Sequence, residues 1–297
     1  MSRDFKIESL SEIESELAYV DRTFETIVIT HILGCYMDNS AFPLYLAIHG
    51  PRGEGKTFQT LHACAKYKVI PYYISGAELS GSYEKDSISD IQKNLDNALI
   101  EYKKNGIISV FIIDDFHLSV ASVDSGVSKT VNSQLLTGWL MNQSDRSKVS
   151  KDFRIPFILL GNDFANLYSP LTRDGRMDFF EWKPSKEVKK RMICEHFQDY
   201  LFGKGCEQEF DLFIDEYIQQ PISFFSEIKK DIMKSLIRDK ISTCKSTNCK
   251  SILKGLNNIS EATIYNNNYD LVNNLRTLAS ARISEATAKN TIHEERK

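Results

Sequence analysis

The sequence lacks long hydrophobic runs and paired cysteine motifs, and each absence excludes a class of protein. No stretch reaches the roughly 18 consecutive apolar residues of a membrane-spanning helix, so no membrane partner is predicted. The six cysteines are scattered and include no C-x-x-C pair, which disfavours a structural zinc site and is typical of reduced intracellular thiols. The amino-terminal residues are acidic and lack the apolar core of a signal peptide. The sequence therefore predicts a cytoplasmic protein.

The charge of the chain is also nearly balanced, with 37 basic and 40 acidic residues and a net charge of -3. Such a chain offers no overall electrostatic attraction for nucleic acid. No nucleic-acid partner is therefore predicted, and a motor that acts on nucleic acid is a weak candidate function. Hydrophobic residues make up 42% of the 297 residues, enough for a sizeable core together with an accessory domain.

Short apolar runs that alternate with helical patterns predict an α/β fold. Continuous apolar strands separated by helices are typical of a parallel sheet that is covered on both faces. Five such strands are expected, and only helical periodicity follows the last of them. The predicted strands are 44–48, 69–74, 107–113, 155–160 and 179–182.

These patterns divide the chain into four predicted segments. Residues 1–39 are expected to be helical, and residues 40–185 to form the α/β nucleotide-binding part. Residues 186–241 are expected to form a small helical part. Residues 242–297 form a polar carboxyl-terminal extension that is predicted to be partly helical. One helix in this extension, around residues 271–279, is expected to be loosely attached and solvated.

A glycine-rich loop follows the first predicted strand and precedes a predicted helix. Its glycines allow several N–H groups to converge on phosphate oxygens, and the helix contributes the positive end of its dipole. Lys56 supplies a charge near the β- and γ-phosphates, and the Thr57 hydroxyl can bind Mg²⁺. This context makes a chance glycine-rich turn the weaker interpretation. The predicted nucleotide-binding residues are Gly50, Pro51, Arg52, Gly53, Glu54, Gly55, Lys56, Thr57 and the adjoining Phe58.

Two acidic residues, Asp114 and Asp115, follow the most apolar of the predicted strands. Ligands bind at the carboxyl ends of the strands in open α/β sheets. Asp114 is predicted to hold Mg²⁺ together with Thr57, and Asp115 to polarise the water that attacks the γ-phosphate. Two acids considered alone could also form a simple turn, which is the less favoured interpretation. The preceding phosphate-binding loop favours the catalytic interpretation.

Two further turns contain candidate catalytic residues. Asn162 directly follows the fourth predicted strand, where a polar side chain could orient the attacking water. Arg173 and Arg176 flank a tight turn and could supply a cation to the phosphate held by a neighbouring subunit. Considered alone, the segment with Asn162 is merely a plausible turn, and for the two arginines an ordinary solvated surface turn is the favoured interpretation.

Several segments together resemble AAA+ ATPases, and more narrowly Rubisco activases. The most telling is PFILLGNDFANLYSPLTRDGRMDFFEWKPSKE at 156–187, which is similar to the family from the sensor 1 position through the arginine turn. The resemblance covers residues 40–240. The other segments that carry it are GEGKTFQ (53–59), SGAEL (75–79), VNSQLLTGWLMNQSD (131–145) and PISFFSEIKK (221–230).

The resemblance implies an AAA+ core with a small helical subdomain, ATP and Mg²⁺ as ligands, and assembly into a hexameric ring. It implies that Asn162 is the sensor 1 residue. Arg173 and Arg176 become arginine-finger candidates that act on a neighbouring subunit. Lys229 stands where family members have the sensor 2 arginine and is counted among the nucleotide-binding residues. Residues 76–85 become the first pore loop.

The resemblance also implies a target, the large subunit of Rubisco, from which ATP-driven rings release inhibitory sugar phosphates. Two departures from the family keep alternatives open: Lys229 in place of arginine, and His117 in place of an aspartate. One alternative is an AAA+ remodeller of a different protein. Another is a nucleotide-controlled scaffold with weak hydrolysis. The plant-type amino-terminal domain of the family is expected to be absent, because the phosphate-binding loop begins early in the chain.

Overall fold

The computed structural model describes most of the chain as two compact units, Met1–Lys183 and Pro184–Lys297. The described residues are 3–7, 13, 19–37, 42–79, 84–116, 131–149, 154–165, 167, 169–198, 207–243, 248–257 and 268–294.

The first unit alternates helices and strands as an α/β fold requires. Its described helices and strands, in chain order, are α1 (Arg22–Tyr36), β1 (Tyr45–His49), α2 (Lys56–Lys66), β2 (Ile70–Ser75), α3 (Gly76–Leu79), α4 (Glu84–Asn105), β3 (Ser109–Asp114), α5 (Val131–Val149), β4 (Phe157–Leu160) and β5 (Met177–Glu181).

The five strands form one parallel sheet in the order β2-β3-β4-β1-β5. The three central strands are almost entirely buried, and β4 is buried at every position. Aromatic side chains fill the middle of the sheet, where Phe157 lies 5.1 Å from Phe111 and 5.6 Å from Tyr45 between ring centroids. The predicted parallel five-stranded sheet with flanking helices is confirmed, and the strand limits differ by up to two residues.

The order of the strands decides where the functional residues meet. In a parallel sheet all carboxyl ends lie at one edge. Since β3, β4 and β1 are neighbours, the segments that follow them lie side by side. The loop after β1, the acids at the end of β3 and Asn162 after β4 are therefore brought together.

An amino-terminal segment covers the outer edge of β2. The main-chain N–H of Ile7 donates to Pro71 (3.0 Å), and the N–H of Tyr73 donates to Phe5 (2.9 Å). Pro71 has no N–H to offer, and a proline is tolerated at an edge because that donor is not needed. The Asn94 side chain holds the segment by accepting from the Phe5 N–H. The prediction of a helix throughout 1–39 is therefore wrong for residues 3–7, because their main chain pairs with the edge of β2 instead of forming helical hydrogen bonds.

The second unit consists of helices only, within the residues that the structure describes. The helices are α6 (Lys186–His196), α7 (Glu207–Tyr217), α8 (Ile222–Thr243), α9 (Cys249–Asn257) and α10 (Asn268–Glu294). Its core is rich in aromatic side chains, including Phe197, Phe210, Phe213 and Phe225, each no more than 1% exposed. No described helix in either unit has the length and hydropathy of a membrane span.

The long helix α10 belongs to the core of this unit, and the expectation of a loosely attached, solvated helix is wrong. Leu271, Leu275 and Ala279 are fully buried in the same cluster as the phenylalanines. These positions repeat at helical spacing and form one apolar stripe that packs against α7 and α8. Arg282 reinforces the contact through an ion pair with Asp231 on α8. The helix itself was predicted, but its attachment was misjudged because the apolar partners lie on other helices.

Truncation of this stripe is expected to destabilise the second unit. Replacing Leu275 with alanine removes a fully buried side chain and should lower the free energy of unfolding by about 2–5 kcal/mol. The measurement is urea unfolding followed by circular dichroism. Leu253→Ala on α9 is the matched control, because Leu253 is 56% exposed and its loss should change stability by no more than about 0.5 kcal/mol. Equal effects of the two substitutions would contradict a core role for α10.

Candidate functional site

The loop between β1 and α2 has a backbone that only glycine adopts readily. Gly50, Gly53 and Gly55 have φ angles of 145°, 76° and 79°. A Cβ atom on Gly50 would lie 2.1 Å from the carbonyl oxygen of Trp182. Gly55 takes the left-handed conformation immediately before α2 and so aims the first turn of that helix. The loop therefore leaves the amide groups at the start of α2 available to an anion.

Residues that follow other strands hold the loop in place. The indole Nε1 of Trp182, just after β5, donates to the main-chain oxygen of Glu54 (2.7 Å). The main-chain N–H of Trp182 donates to His49 (2.7 Å), and the N–H of Gly50 donates to the carbonyl of Asn162 (3.3 Å). The loop is thus fixed from β5 on one side and from β4 on the other.

Lys56 brings a buried ammonium group to the loop. Its side chain is held by neutral oxygens, with Nζ donating to the carbonyls of Gly50 (2.8 Å) and Pro51 (2.9 Å) and to Oδ1 of Asn162 (3.3 Å). Burial lowers the pKa of Lys56, and the negative charge of Asp114 opposes that shift. A positive charge removed from water and held by carbonyl oxygens is well placed to receive a phosphate group.

Asp114, at the end of β3, meets Thr57 at the start of α2. The Thr57 hydroxyl donates to Oδ2 of Asp114 at 2.7 Å. The same oxygen accepts from the hydroxyl of Tyr73 at 2.7 Å, and Oδ1 accepts from the Asp115 N–H at 2.9 Å. The two residues expected to hold a metal ion are therefore in direct contact. Hydroxyl and carboxylate oxygens are the ligands that Mg²⁺ prefers, so this pair fits the ion.

Asp115 occupies a strained position beside α3. It is exposed, and its φ of 49° lies in the left-handed region, which is uncommon for a residue other than glycine. A Cβ atom on Gly76 would lie 2.4 Å from the carbonyl oxygen of Asp115 and 2.9 Å from that of Asp114. The absence of a side chain at Gly76 lets the segment after β2 pack against the main chain of both acids.

The two arginines of the turn at residues 173–176 have different surroundings. The guanidinium of Arg176 donates through Nη2 to both carboxylate oxygens of Asp145 on α5, at 2.8 Å each, and through Nη1 to the Pro170 carbonyl. Its side chain is only 12% exposed. Arg173 is exposed, and no residue in the described part of the chain forms an ion pair with it. The Arg176 guanidinium is thus paired within the chain, whereas the Arg173 side chain forms no ion pair with any residue that the structure describes.

The other residues predicted to bind nucleotide are exposed on the loop or lie on helices. Pro51 and Arg52 are exposed on the loop. Phe58 is 39% exposed and contacts the ring of His62, one turn further along α2, in a tilted arrangement with ring centroids 3.9 Å apart. Lys229 lies on α8 in the second unit, where its Nζ donates to the His196 carbonyl (2.9 Å). Its association with the nucleotide loop stays a prediction.

Part of the predicted site lies outside the described residues. This is the case for His117 and for residues 80–83 of the expected first pore loop. The sequence reasoning in turn missed two residues that contact the site, Tyr73 and Asp145. Tyr73 could have been found from its place near the end of β2, the strand beside β3. Nothing in the local sequence marks Asp145.

Comparison with known proteins places this arrangement in context. Residues 46–185 match the family model "ATPase family associated with various cellular activities (AAA)". The ribulose bisphosphate carboxylase/oxygenase activase of Nostoc sp. is 36% identical over 209 residues, covering 67% of this chain and 50% of that protein. The chloroplastic activases of Chlamydomonas reinhardtii and Zea mays are 29% and 28% identical over 235 and 255 residues. These alignments cover 75% and 82% of this chain and 57% of each relative. The chain spans about half the length of the curated relatives it matches.

The close approach of Gly76 to the acids gives a stability test. Gly76→Ala forces a Cβ atom against the Asp115 carbonyl, so the free energy of unfolding should fall by about 1–3 kcal/mol. Gly138→Ala on α5 is the matched control, because a Cβ atom there meets nothing within 4 Å. Alanine in that helix should stabilise the protein by about 0.5–1 kcal/mol. Thermal unfolding of both variants measures the opposite signs, and a shift of the same sign in both would refute the packing argument.

Proposed function

Because the chain is a Rubisco activase-like AAA+ protein with an AAA domain at residues 46–185, we propose that it binds ATP with Mg²⁺ and hydrolyses it to drive protein remodelling. The observation that carries the proposal is the meeting of three groups at one edge of the sheet. These are the buried ammonium of Lys56, the hydroxyl–carboxylate pair of Thr57 and Asp114, and the amide of Asn162.

The residues of the loop fit a triphosphate. The amide groups at the start of α2 would donate to phosphate oxygens, and Lys56 would exchange its carbonyl partners for them. Thr57 and Asp114 would hold Mg²⁺, which when bound supplies positive charge that offsets the charge of the phosphates. The contacts of Lys56 and of the Thr57–Asp114 pair in the described structure support these roles.

Hydrolysis requires a carboxylate that acts as a general base and a residue that orients the attacking water. Asp115 is exposed at the end of β3 and would accept a hydrogen bond from the attacking water, drawing its proton away as the oxygen approaches the γ-phosphorus. Asn162 would orient the same water through its amide. Lys56 would stabilise the negative charge that builds on the β-phosphate as its bond to the γ-phosphorus breaks and ADP leaves.

The arginine turn would complete the site of a neighbouring subunit in a ring. Both arginines are candidates, and the contacts within the subunit favour Arg173 as the residue that reaches across. Arg176 would hold the turn through Asp145, because its guanidinium is already paired there. The site would then be active only in the assembled ring.

The proposed target is the large subunit of Rubisco, from which remodelling would release a tightly bound sugar phosphate. The relatives reported above are Rubisco activases by name. The segment after β2, which includes α3, would contact the target, and its start packs against the two acids through Gly76. Changes at the acids would thereby reach the residues that contact the target.

Loss of Arg173 is expected to abolish turnover without loss of nucleotide. Arg173→Ala should reduce the rate of ATP hydrolysis by about 10³-fold, the scale on which arginine fingers act, while a fluorescent ATP analogue still binds. Mixing Arg173→Ala with Asp115→Ala subunits should restore part of the activity, because some interfaces in a mixed ring combine both intact residues. An unchanged rate in Arg173→Ala would move the role to Arg176 or exclude a shared site.

Recovery of carboxylation by inhibitor-bound Rubisco tests the proposed function as a whole. The wild-type chain with ATP and Mg²⁺ should restore carboxylation, and Lys56→Ala should restore none because phosphate binding is lost. Steady-state hydrolysis is measured in parallel. Robust hydrolysis without recovery would favour an AAA+ remodeller of a different protein. Hydrolysis no faster than that of Lys56→Ala would favour a nucleotide-controlled scaffold.

A further inference from the structure

Tyr73, near the end of β2, has no role in the function proposed so far. Its hydroxyl lies 2.7 Å from Oδ2 of Asp114, the same oxygen that accepts from Thr57. We propose that Tyr73 is a positioning residue that holds the Asp114 carboxylate in the orientation in which it receives Mg²⁺. This inference rests on the proposed nucleotide and metal site.

The direction of this hydrogen bond follows from the two groups. An ionised carboxylate has no proton to give, so the Tyr73 hydroxyl must donate. A tyrosine hydroxyl keeps its proton at neutral pH, so it remains a donor.

The register of the sheet explains how Tyr73 reaches an acid on the next strand. In the parallel pair of β2 and β3, Tyr73 lies opposite Ile112, and Ser75 lies opposite Asp114. Residues two apart on a strand share a face, so the Tyr73 and Asp114 side chains lie on the same side of the sheet. The long phenol ring spans the diagonal between them.

The main chain of Tyr73 is held at the edge of β2 that faces away from β3. Its N–H donates to the Phe5 carbonyl at 2.9 Å, within the amino-terminal segment that pairs with β2. Phe5 is 8% exposed and is held by Asn94. An edge residue fixed in this way can orient a neighbouring side chain more firmly than a free strand end.

Three donors from three segments together fix the Asp114 carboxylate. Thr57 approaches from α2, Tyr73 from β2, and the Asp115 N–H from the end of β3. When the Thr57 hydroxyl oxygen turns its lone pair to a metal ion, its hydrogen can still reach Asp114. Tyr73 has no such second task. It is therefore the donor whose removal tests orientation alone, and partners of this kind typically change metal affinity by about 10–100-fold.

The experiment compares Tyr73→Phe with the wild-type full chain. A fluorescent ADP analogue is titrated at increasing Mg²⁺ concentrations and in excess chelator. We expect the Mg²⁺ concentration that half-saturates the enhancement of nucleotide binding to rise about 10-fold, with no change in metal-free nucleotide affinity. Tyr72→Phe is the matched control, since the neighbouring Tyr72 is 2% exposed and stacks on Phe111, on the other face of β2. It should leave both values unchanged.

Two results would overturn the role of Tyr73. One is an unchanged Mg²⁺ dependence in Tyr73→Phe, and the other is an equal loss of affinity with and without Mg²⁺, which would indicate a general structural effect. Tyr73→Met, a second variant without a donor and with an adaptable apolar side chain, must shift the Mg²⁺ dependence in the same direction. Wild-type protein that binds no nucleotide would instead overturn the proposed function, and this role with it.

Discussion

The hydrogen bond between the Thr57 hydroxyl and Asp114 joins the two halves of the site. Thr57 lies in the first turn of α2, the helix that follows β1 and the glycine-rich loop. Asp114 ends β3, which is separated from β1 in the sheet by β4. The contact exists only if β1 and β3 are parallel, with β4 between them and their carboxyl ends level. The Thr57–Asp114 contact therefore depends on the strand order, on the strand register and on the sharp turn at Gly55. A slip of one residue in β3 would turn the Asp114 side chain to the opposite face of the sheet.

The opposite charges of Lys56 and Asp114 lie near the Thr57–Asp114 contact but do not form a direct ion pair. Lys56 and Asp114 influence each other electrostatically, yet the ammonium is bonded to carbonyl and amide oxygens and the carboxylate to hydroxyl and amide donors. A direct ion pair between them would satisfy both groups and leave neither for a ligand. Keeping the opposite charges on neutral partners costs stability, but preserves a positive and a negative site for phosphate and metal.

Local patterns were sufficient for the parts of the molecule that local chemistry determines. The glycine-rich loop, the acids after an apolar strand and the continuous apolar runs each follow from a short stretch of sequence, and the sheet and the Thr57–Asp114 pair were predicted from them. Contacts between distant segments were not predictable. Asp145 reaches Arg176 and Phe5 reaches β2 only through the finished fold. The stripe on α10 was misjudged because its partners, the phenylalanines of the second unit, come from other helices.

The amino-terminal strand segment also bears on the order in which the first unit is completed. The Phe5 N–H finds its partner 89 residues later in the chain, at Asn94. Residues 3–7 thus have no place to pair until β2 and α4 exist, and contacts of such separation form late because loop closure is costly. The edge beside Tyr73 is then among the last parts of the sheet to close, and β2 is transiently an open strand to which another chain could add.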